Sequence, residues 1–316
     1  MANVHGFVQD VMLTKYARLL GPSLGSFIAD DIFPAVDVPT KTGKFYNVDG
    51  GFASASPGHG MVIADGQQSP LLMSSTISKV DGWDVDLAGL GCQVSKNSAE
   101  YAAGNGLNLR MAKTALLARQ TAIIRERIAA TQAFSTGTFT NAALAGSNRW
   151  DNAASDPVSN AQDAKDTIIK ASGEDPNVAI MGFEVFQALR QHPAILEFVS
   201  RTSNSVGLVS DNDIARALDV ETIYVGKAVA NANVEGLASG NAYIWGKSVL
   251  FARLRTSPAP MTPQSALQRW RFQGSSDGAV RRWDPTPYVE QVDMLWNEQF
   301  AAPTAALGYL YTTVVS

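Results

Sequence analysis

Gly246-Lys247-Ser248 ends like a phosphate-binding loop, and the residues before it decide whether it is one. Such a loop needs G-x-x-x-x-G-K-S/T, so that successive backbone N–H groups curl around the phosphates. Here the position that should be Gly is Asn241, and Gly240 stands one residue too far away. Tyr243, Ile244 and Trp245 favour pleated backbone, whereas a phosphate cradle needs small residues. The spacing predicts two strands, YIW and SVLFARL, joined by a turn at Gly246-Lys247.

Other chemical motifs fail for comparable reasons. Gly21-Pro22-Ser23-Leu24-Gly25 matches G-x-S-x-G, but a nucleophile elbow needs a strand before it, and this copy follows a helical pattern. His5, His59 and His192 are far apart, and none sits in H-E-x-x-H or beside Cys92, so no zinc site is expected. His192 precedes Pro193 and reads as a helix-terminal residue. Asp30-Asp31 and the Asp84/Asp86 pair lack the convergent oxygens a cation needs and read as solvated carboxylates. Cys92, beside Gly91, reads as a small buried hydrophobe. No catalytic, cofactor-binding or metal residue is expected, no cofactor is implied, and the chain reads as a non-enzyme.

The elements that would position any site are clearer. FVQDVMLTKYARLL, residues 7–20, has helical spacing and stops at Gly21-Pro22. From Phe27 to about Leu90 the pattern is extended and loop-rich, with strand-like pieces GKFYNVD, MVIA and TISKVDGWDVDLAG between Gly, Pro and Ser clusters. Phe45, Tyr46, Phe52 and Trp83 are too many aromatics for disorder, so something outside this segment must order it. Residues 107–134 form the strongest helix, with Leu109, Ala112, Leu116, Ile123 and Ile124 on one face. Arg110, Lys113, Arg119, Arg125 and Arg127 make the remainder basic. That pattern favours a solvated polar face over a face near a polyanion.

After a polar loop, Asp156 and Pro157 predict the cap and first turn of a helix that stops at Gly173. PNVAIMG follows as a buried strand, FEVFQALRQHP as a helix ended by Pro193, and VETIYVGKAVAN as a strand, an α/β interleaving. TSPAPMTP, residues 256–263, breaks the chain, and period-two alternation then places Trp270 and Phe272 opposite Arg269 and Arg271. Val292, Met294 and Trp296 alternate with polar residues in the same way, and GYLYTTVVS reads as a last strand.

Composition narrows the function classes. Charged residues are 17% of the 316, against about 25% in ordinary soluble domains. A long chain short of charge and without a membrane-length apolar run is expected to hide surface against other subunits. The net charge of −4 argues against a dedicated nucleic-acid reader. One cysteine allows no internal disulfide and fits a reducing compartment. The N-terminus lacks a secretory pattern, so synthesis in cytoplasm is expected.

Five pieces in order then carry a resemblance: RWDN (149–152), SDPVSNAQDAKDTI (155–168), PNVAIMGFEVFQALRQHPAI (176–195), VETIYVGKAVAN (220–231) and IWGKSVLF (244–251). With the long helix before them and the strands after, the chain from about Leu90 onward resembles the major capsid proteins of tailed bacteriophages, the Hong Kong 97-type fold shared with encapsulin shells. The resemblance implies an α+β fold with an N-terminal arm (1–35) and an extended β-hairpin loop (36–90). It implies a peripheral domain with a long spine helix (91–149 and 256–316) and an α/β axial domain (150–255). The arm and loop, without a core of their own, would be stabilised by burial on neighbouring subunits. The implied function is self-assembly, as hexamers and pentamers, into an icosahedral shell around double-stranded DNA. Portal and decoration proteins are implied partners, with scaffolding either separate or absent. DNA contact would be non-specific, and no membrane would be involved. The location would be the virion capsid, assembled in host bacterial cytoplasm. The alternatives are an encapsulin-like cellular compartment and a hydrolase using Lys247 or Ser23.

Overall fold

The computed structural model describes residues 8–20, 27–48, 77–202, 209–231, 240–256, 265–273 and 278–316. The N-terminal stretch holds strand β1 (Val8–Gln9), helix α1 (Val11–Leu20) and a single helical turn, α2 (Ala29–Ile32). Strands β2 (Ala35–Val38), β3 (Thr42–Val48), β4 (Ile77–Asp84) and β5 (Leu87–Ser95) follow. Helix α3 (Lys96–Gly104) leads into the longest helix, α4 (Leu109–Ala133). The middle interleaves β6 (Thr140–Ala143), α5 (Pro157–Ser172), β7 (Val178–Gly182), α6 (Phe183–Gln191), α7 (Pro193–Thr202), α8 (Asp211–Ala217) and β8 (Thr222–Gly226). Short strands β9 (Val229–Asn231), β10 (Asn241–Tyr243) and β11 (Val249–Ala252) come next. The chain continues through β12 (Gln268–Phe272), β13 (Ala279–Thr286), β14 (Val289–Ala301) and β15 (Gly308–Thr312).

Local chemistry explains the helices that the sequence announces. The Asp156 carboxylate accepts the N–H groups of Val158 and Ser159, Pro157 occupies the first turn of α5, and Gly173 closes it at φ 73°. Asn108 caps α4 by accepting the Met111 N–H, and its 25 residues run about 38 Å at 1.5 Å per residue. Pro193 both ends α6 and opens α7.

A five-stranded sheet in the order β6-β15-β11-β7-β8 is the centre of the molecule. Its middle strands, β7 and β11, are buried on both faces, as their unbroken apolar runs require. Ala179, Met181, Val249 and Phe251 point into one cluster with α5 to α8, through residues such as Ile168, Leu189, Ile195 and Ile214. Val178, Ile180, Leu250 and Ala252 point the other way, onto Ile32, Phe33, Trp245 and the Ala129–Ala130–Ala133 end of α4. Each fully buried aliphatic side chain contributes about 1.5–3 kcal/mol relative to exposure, so these two layers dominate stability.

The second sheet runs β1-β13-β14-β12-β2, with β5 also paired to β14. Leu117 and Ala118, in the first half of α4, pack on its Val280 and Val292 together with Leu13 and Ala17 of α1. Helix α4 is therefore a strut whose two halves rest on different sheets.

Several expectations are corrected. Residues 8–17 and 28–33 do find an interior in their own chain: β1 pairs with β13, Leu13 and Ala17 are buried, and Ile28 to Phe33 join the central core. The stem of the 36–90 loop is also anchored at home, because Val36, Val38, Trp83 and Val85 cluster with Trp270. The loop between β3 and β4, with the expected strand MVIA, lies outside the described residues. The apolar stripe expected on α4 is not its buried face: Leu116 is 50% exposed, and Leu109, Ile123 and Ile124 are only half-buried. The buried positions are Thr114, Leu117, Ala118, Thr121, Glu126, Ala129, Ala130 and Ala133, mostly small residues that let backbone approach the sheets closely. The sheet pairings also cross the expected division of the chain. β6 and β15, inside 91–149 and 256–316, belong with β11, inside 150–255.

Candidate functional site

The segment from Ile244 to Ser248 is a buried pivot. The two strands on either side of the expected turn do not pair with each other: β10 pairs with β9 in a separate ribbon while β11 joins the central sheet. Between them Trp245 is fully buried and Gly246 takes φ 54°, a left-handed turn that suits glycine. The turn presses so close to the end of β7 that a Cβ at Gly182 would lie 1.8 Å from the Gly246 carbonyl oxygen. Lys247 donates to the Ser316 carbonyl oxygen, and its own carbonyl accepts the Val314 N–H. These bonds tie Lys247 to the C-terminal residues after β15, a structural role.

Glu126 converges on this pivot from α4. It is 1% exposed, and its carboxylate accepts three donors from distant parts of the chain. Oε1 takes the Trp245 indole N–H at 2.7 Å and the Ile28 N–H at 2.9 Å, while Oε2 takes the Ala29 N–H at 3.0 Å. Burial pushes this carboxyl above its ordinary value, and the three donors offset only part of the rise. Beside it, Arg125 bonds Asp30 and Glu298, and Arg269 reaches the same two acids. Burial pushes Asp30 up, but the two guanidiniums outweigh it and hold the carboxyl below its usual range. Burial likewise opposes charge on Arg125, yet Glu298 and Asp30 keep its pKa above the ordinary value. This knot joins the N-terminal segment, α4, β12 and β14.

The other chemical candidates stay apart. Asp84 and Asp86 are exposed at the end of β4 and the bend after it, and Asp30 serves the ion-pair knot. Cys92 is half-buried on β5, where burial pushes its thiol up and away from reactivity. His5, His59 and Gly21 to Gly25 lie outside the described residues. Among the described residues no three His, Cys, Asp or Glu side chains gather as metal ligands. One pair that sequence reading did not find is Ser155 and His192, with Oγ 3.1 Å from Nε2. His192 Nδ1 accepts the Ala194 N–H, so in the neutral ring the hydrogen is on Nε2, where it points at the Asn152 carbonyl and Ser155. The ring has no free lone pair for the serine proton. Both residues are buried, and they fasten the 152–155 turn to the α6–α7 junction.

What the surface offers is contact area. β3 and β4 form a two-stranded ribbon that pairs with no other strand among the described residues. Its base is held by Trp83, stacked on Trp270 with centroids 5.3 Å apart, and by the Asp84 N–H donating to Gln299 at 2.9 Å. α3 buries none of its residues. Tyr101 on it, Leu107 after it and Tyr288 at the β13–β14 turn are all largely exposed. No helix among the described residues is long and apolar enough to cross a membrane.

Comparison with known proteins finds capsid proteins. The family model for phage major capsid protein E matches residues 118–237, from α4 into the β9–β10 ribbon. The major capsid protein of Pseudomonas phage JBD67 is 31% identical over 108 residues, 34% of each chain. Over these residues the chain is similar to phage major capsid proteins. The matched part covers about a third, 34%, of the length of the curated capsid relatives. The fold is similar over nearly the whole chain to a phage-related protein from Bordetella bronchiseptica RB50, with TM-score 0.71 and 21% identity, covering 97% of this chain and 98% of that one. It is also similar to a virus-like particle subunit from Pyrococcus furiosus, with TM-score 0.58 and 12% identity over 96% and 100% of the two chains. The architecture is thus an α+β capsid fold.

Proposed function

We propose that this chain is the major shell subunit of a tailed bacteriophage, assembling through hexamers and pentamers into an icosahedral shell around double-stranded DNA. The observation that carries the proposal is the β3–β4 ribbon. A two-stranded ribbon alone is marginal in water, so it needs a surface to lie on, and a neighbouring subunit of a closed assembly supplies one. The family match supports a structural role, and the subunit works without catalysis.

In this reading the chain has the Hong Kong 97-type layout. Residues 1–35 begin as an arm whose later part is docked at home, and 36–90 form the extended loop. Residues 91–149 and 256–316 form most of the peripheral domain and 150–255 the axial domain, with β6 and β15 lent to the axial sheet. The subunit resides in the virion capsid after assembly in host cytoplasm, with scaffolding, portal and decoration proteins as further partners. Electron microscopy and sedimentation of the purified chain test the proposal. Closed shells or capsomers are expected, and a well-behaved monomer under every assembly condition overturns it. The contents of native particles separate a genome-bearing capsid from an encapsulin-type compartment filled with cargo protein.

A further inference from the structure

Charge is unevenly distributed over this chain. Residues 151–221 carry twelve Asp and Glu against five Lys and Arg, whereas α4 carries five Lys and Arg against a single Glu. The two regions lie on opposite faces of the central sheet, since α5 to α8 pack on one face and the end of α4 on the other. The only acid of α4, Glu126, is buried and turned inward. Two of its cations are already neutralised, Arg110 by Glu290 at 2.8 Å and Arg125 by Asp30 and Glu298.

Lys113, Arg119 and Arg127 remain. Among the described residues none has a carboxylate partner. Arg119 and Arg127 are exposed and Lys113 is half-buried. Arg127 donates to the Asn231 carbonyl at 3.0 Å, which orients the guanidinium without cancelling its charge. At 3.6 residues per turn the three fall within about 120° of the helix circumference, and they span about 21 Å along the axis. Exposed Ala112, Leu116 and Gln120 share that sector, so no acid interrupts it.

We propose that this outward face of α4 is a sequence-independent contact surface for the phosphate backbone of duplex DNA. The proposal rests on the capsid function proposed above and assigns the DNA-facing side of the subunit. A duplex presents one negative charge per about 1.7 Å of axis, so a 21 Å row of cations meets phosphates in any register. The residues between the cations are apolar or an amide and offer no code for base edges, so the contact reads charge alone. Three cations per subunit give weak binding, and repetition across a capsomer multiplies it.

The test measures binding of a fluorescent mixed-sequence duplex to purified protein across a salt series, with particle formation scored separately by electron microscopy. The Lys113→Gln/Arg119→Gln variant is expected to keep wild-type circular dichroism. It should flatten the slope of log affinity against log salt by about 2, since each phosphate contact contributes about 0.9. Asp163→Asn/Asp166→Asn, on the opposite face, should leave the slope unchanged. An unaltered slope in the α4 variant would overturn the proposal. So would absence of duplex binding alongside α4-dependent binding of polyglutamate, which would assign the face to an acidic protein. Failure of the wild-type chain to form particles would count against the capsid function alone, because duplex binding is read on the protein whether or not shells form.

Discussion

Glu126→Ala should destabilise the body of the subunit by about 4 kcal/mol, and the size follows from what the side chain satisfies. Removing it orphans three buried donors, the N–H groups of Ile28 and Ala29 and the indole N–H of Trp245. A buried donor left without a partner costs about 1–3 kcal/mol, and truncating one member of a buried charged contact costs about 3–5 kcal/mol in all. Relief of the desolvated carboxylate offsets part of this. Glu126→Gln should cost less, about 1–2 kcal/mol, because its carbonyl can serve two donors while its amide opposes the third. Burial raises the folded-state pKa above the ordinary 4.5, so the folded protein binds this proton more tightly than the unfolded one. Wild type should therefore gain stability relative to Glu126→Gln as the pH falls through the raised value toward 4.5, and lose that gain as the pH rises again. Urea unfolding of unassembled subunits measures the global cost, and hydrogen exchange at Ile28 and Ala29 reads the local one. An alanine variant within about 1 kcal/mol of wild type, with both amides still protected, would refute the idea that this carboxylate holds the three segments together.

Other substitutions test other contacts. Gly182→Ala places a Cβ against the Gly246 carbonyl and should cost at least the upper end of the about 1–3 kcal/mol seen for overpacking, measured by urea unfolding. Trp270→Ala removes the stacking partner of Trp83 and should cost about 3–5 kcal/mol, with faster hydrogen exchange in β3 and β4 than in β7. Asp30 has a folded pKa below its ordinary 3.8, so its contribution is present above that value and lost as pH falls through the folded pKa. Asp30→Asn should flatten that acid loss in a pH series of unfolding curves. Deleting residues 50–82 should leave the central sheet folded by circular dichroism while abolishing closed shells in electron micrographs. Intact shells from that deletion would show that the ribbon does not carry subunit contact.

What could be read in the sequence was local. Asp156-Pro157 and Gly173 mark α5 because caps act within one helical turn, and β7 shows as a continuous apolar run because both its faces are covered. The length of α4 was visible, but its orientation was not. Leu116 and Ile128 face outward, and apart from Leu117 and Glu126 the buried face is alanine and threonine, whose value lies in close approach rather than hydrophobicity. α3 carried no signal because it buries nothing. Glu126 looked like one acid in a basic helix, since its donors lie 97, 98 and 119 residues away and no short window contains them. Gly246-Lys247 looked like a turn joining two strands because the local chemistry is that of a turn. Which sheets the flanking strands join is decided by Trp245, packed against Gly226 and bonded to Glu126.

That division between body and appendage has a functional consequence. The central sheet closes both its faces with residues of the same chain, and the Glu126 pivot and the Asp30 knot fasten the N-terminal segment to that closed body. Among the described residues the β3–β4 ribbon pairs with no other strand and is anchored at Trp83, and α3 packs on the body without a fully buried residue. Surfaces that add little to the stability of the isolated subunit are the ones that can move or bind without unfolding it. The proposed shell needs this asymmetry. If the ribbon were packed as firmly at home as β7, a neighbour would have to break those contacts before making its own, and the gain on association would shrink by the same amount. A ribbon that pairs with no other described strand, on an anchored base, keeps its edges for contact between subunits.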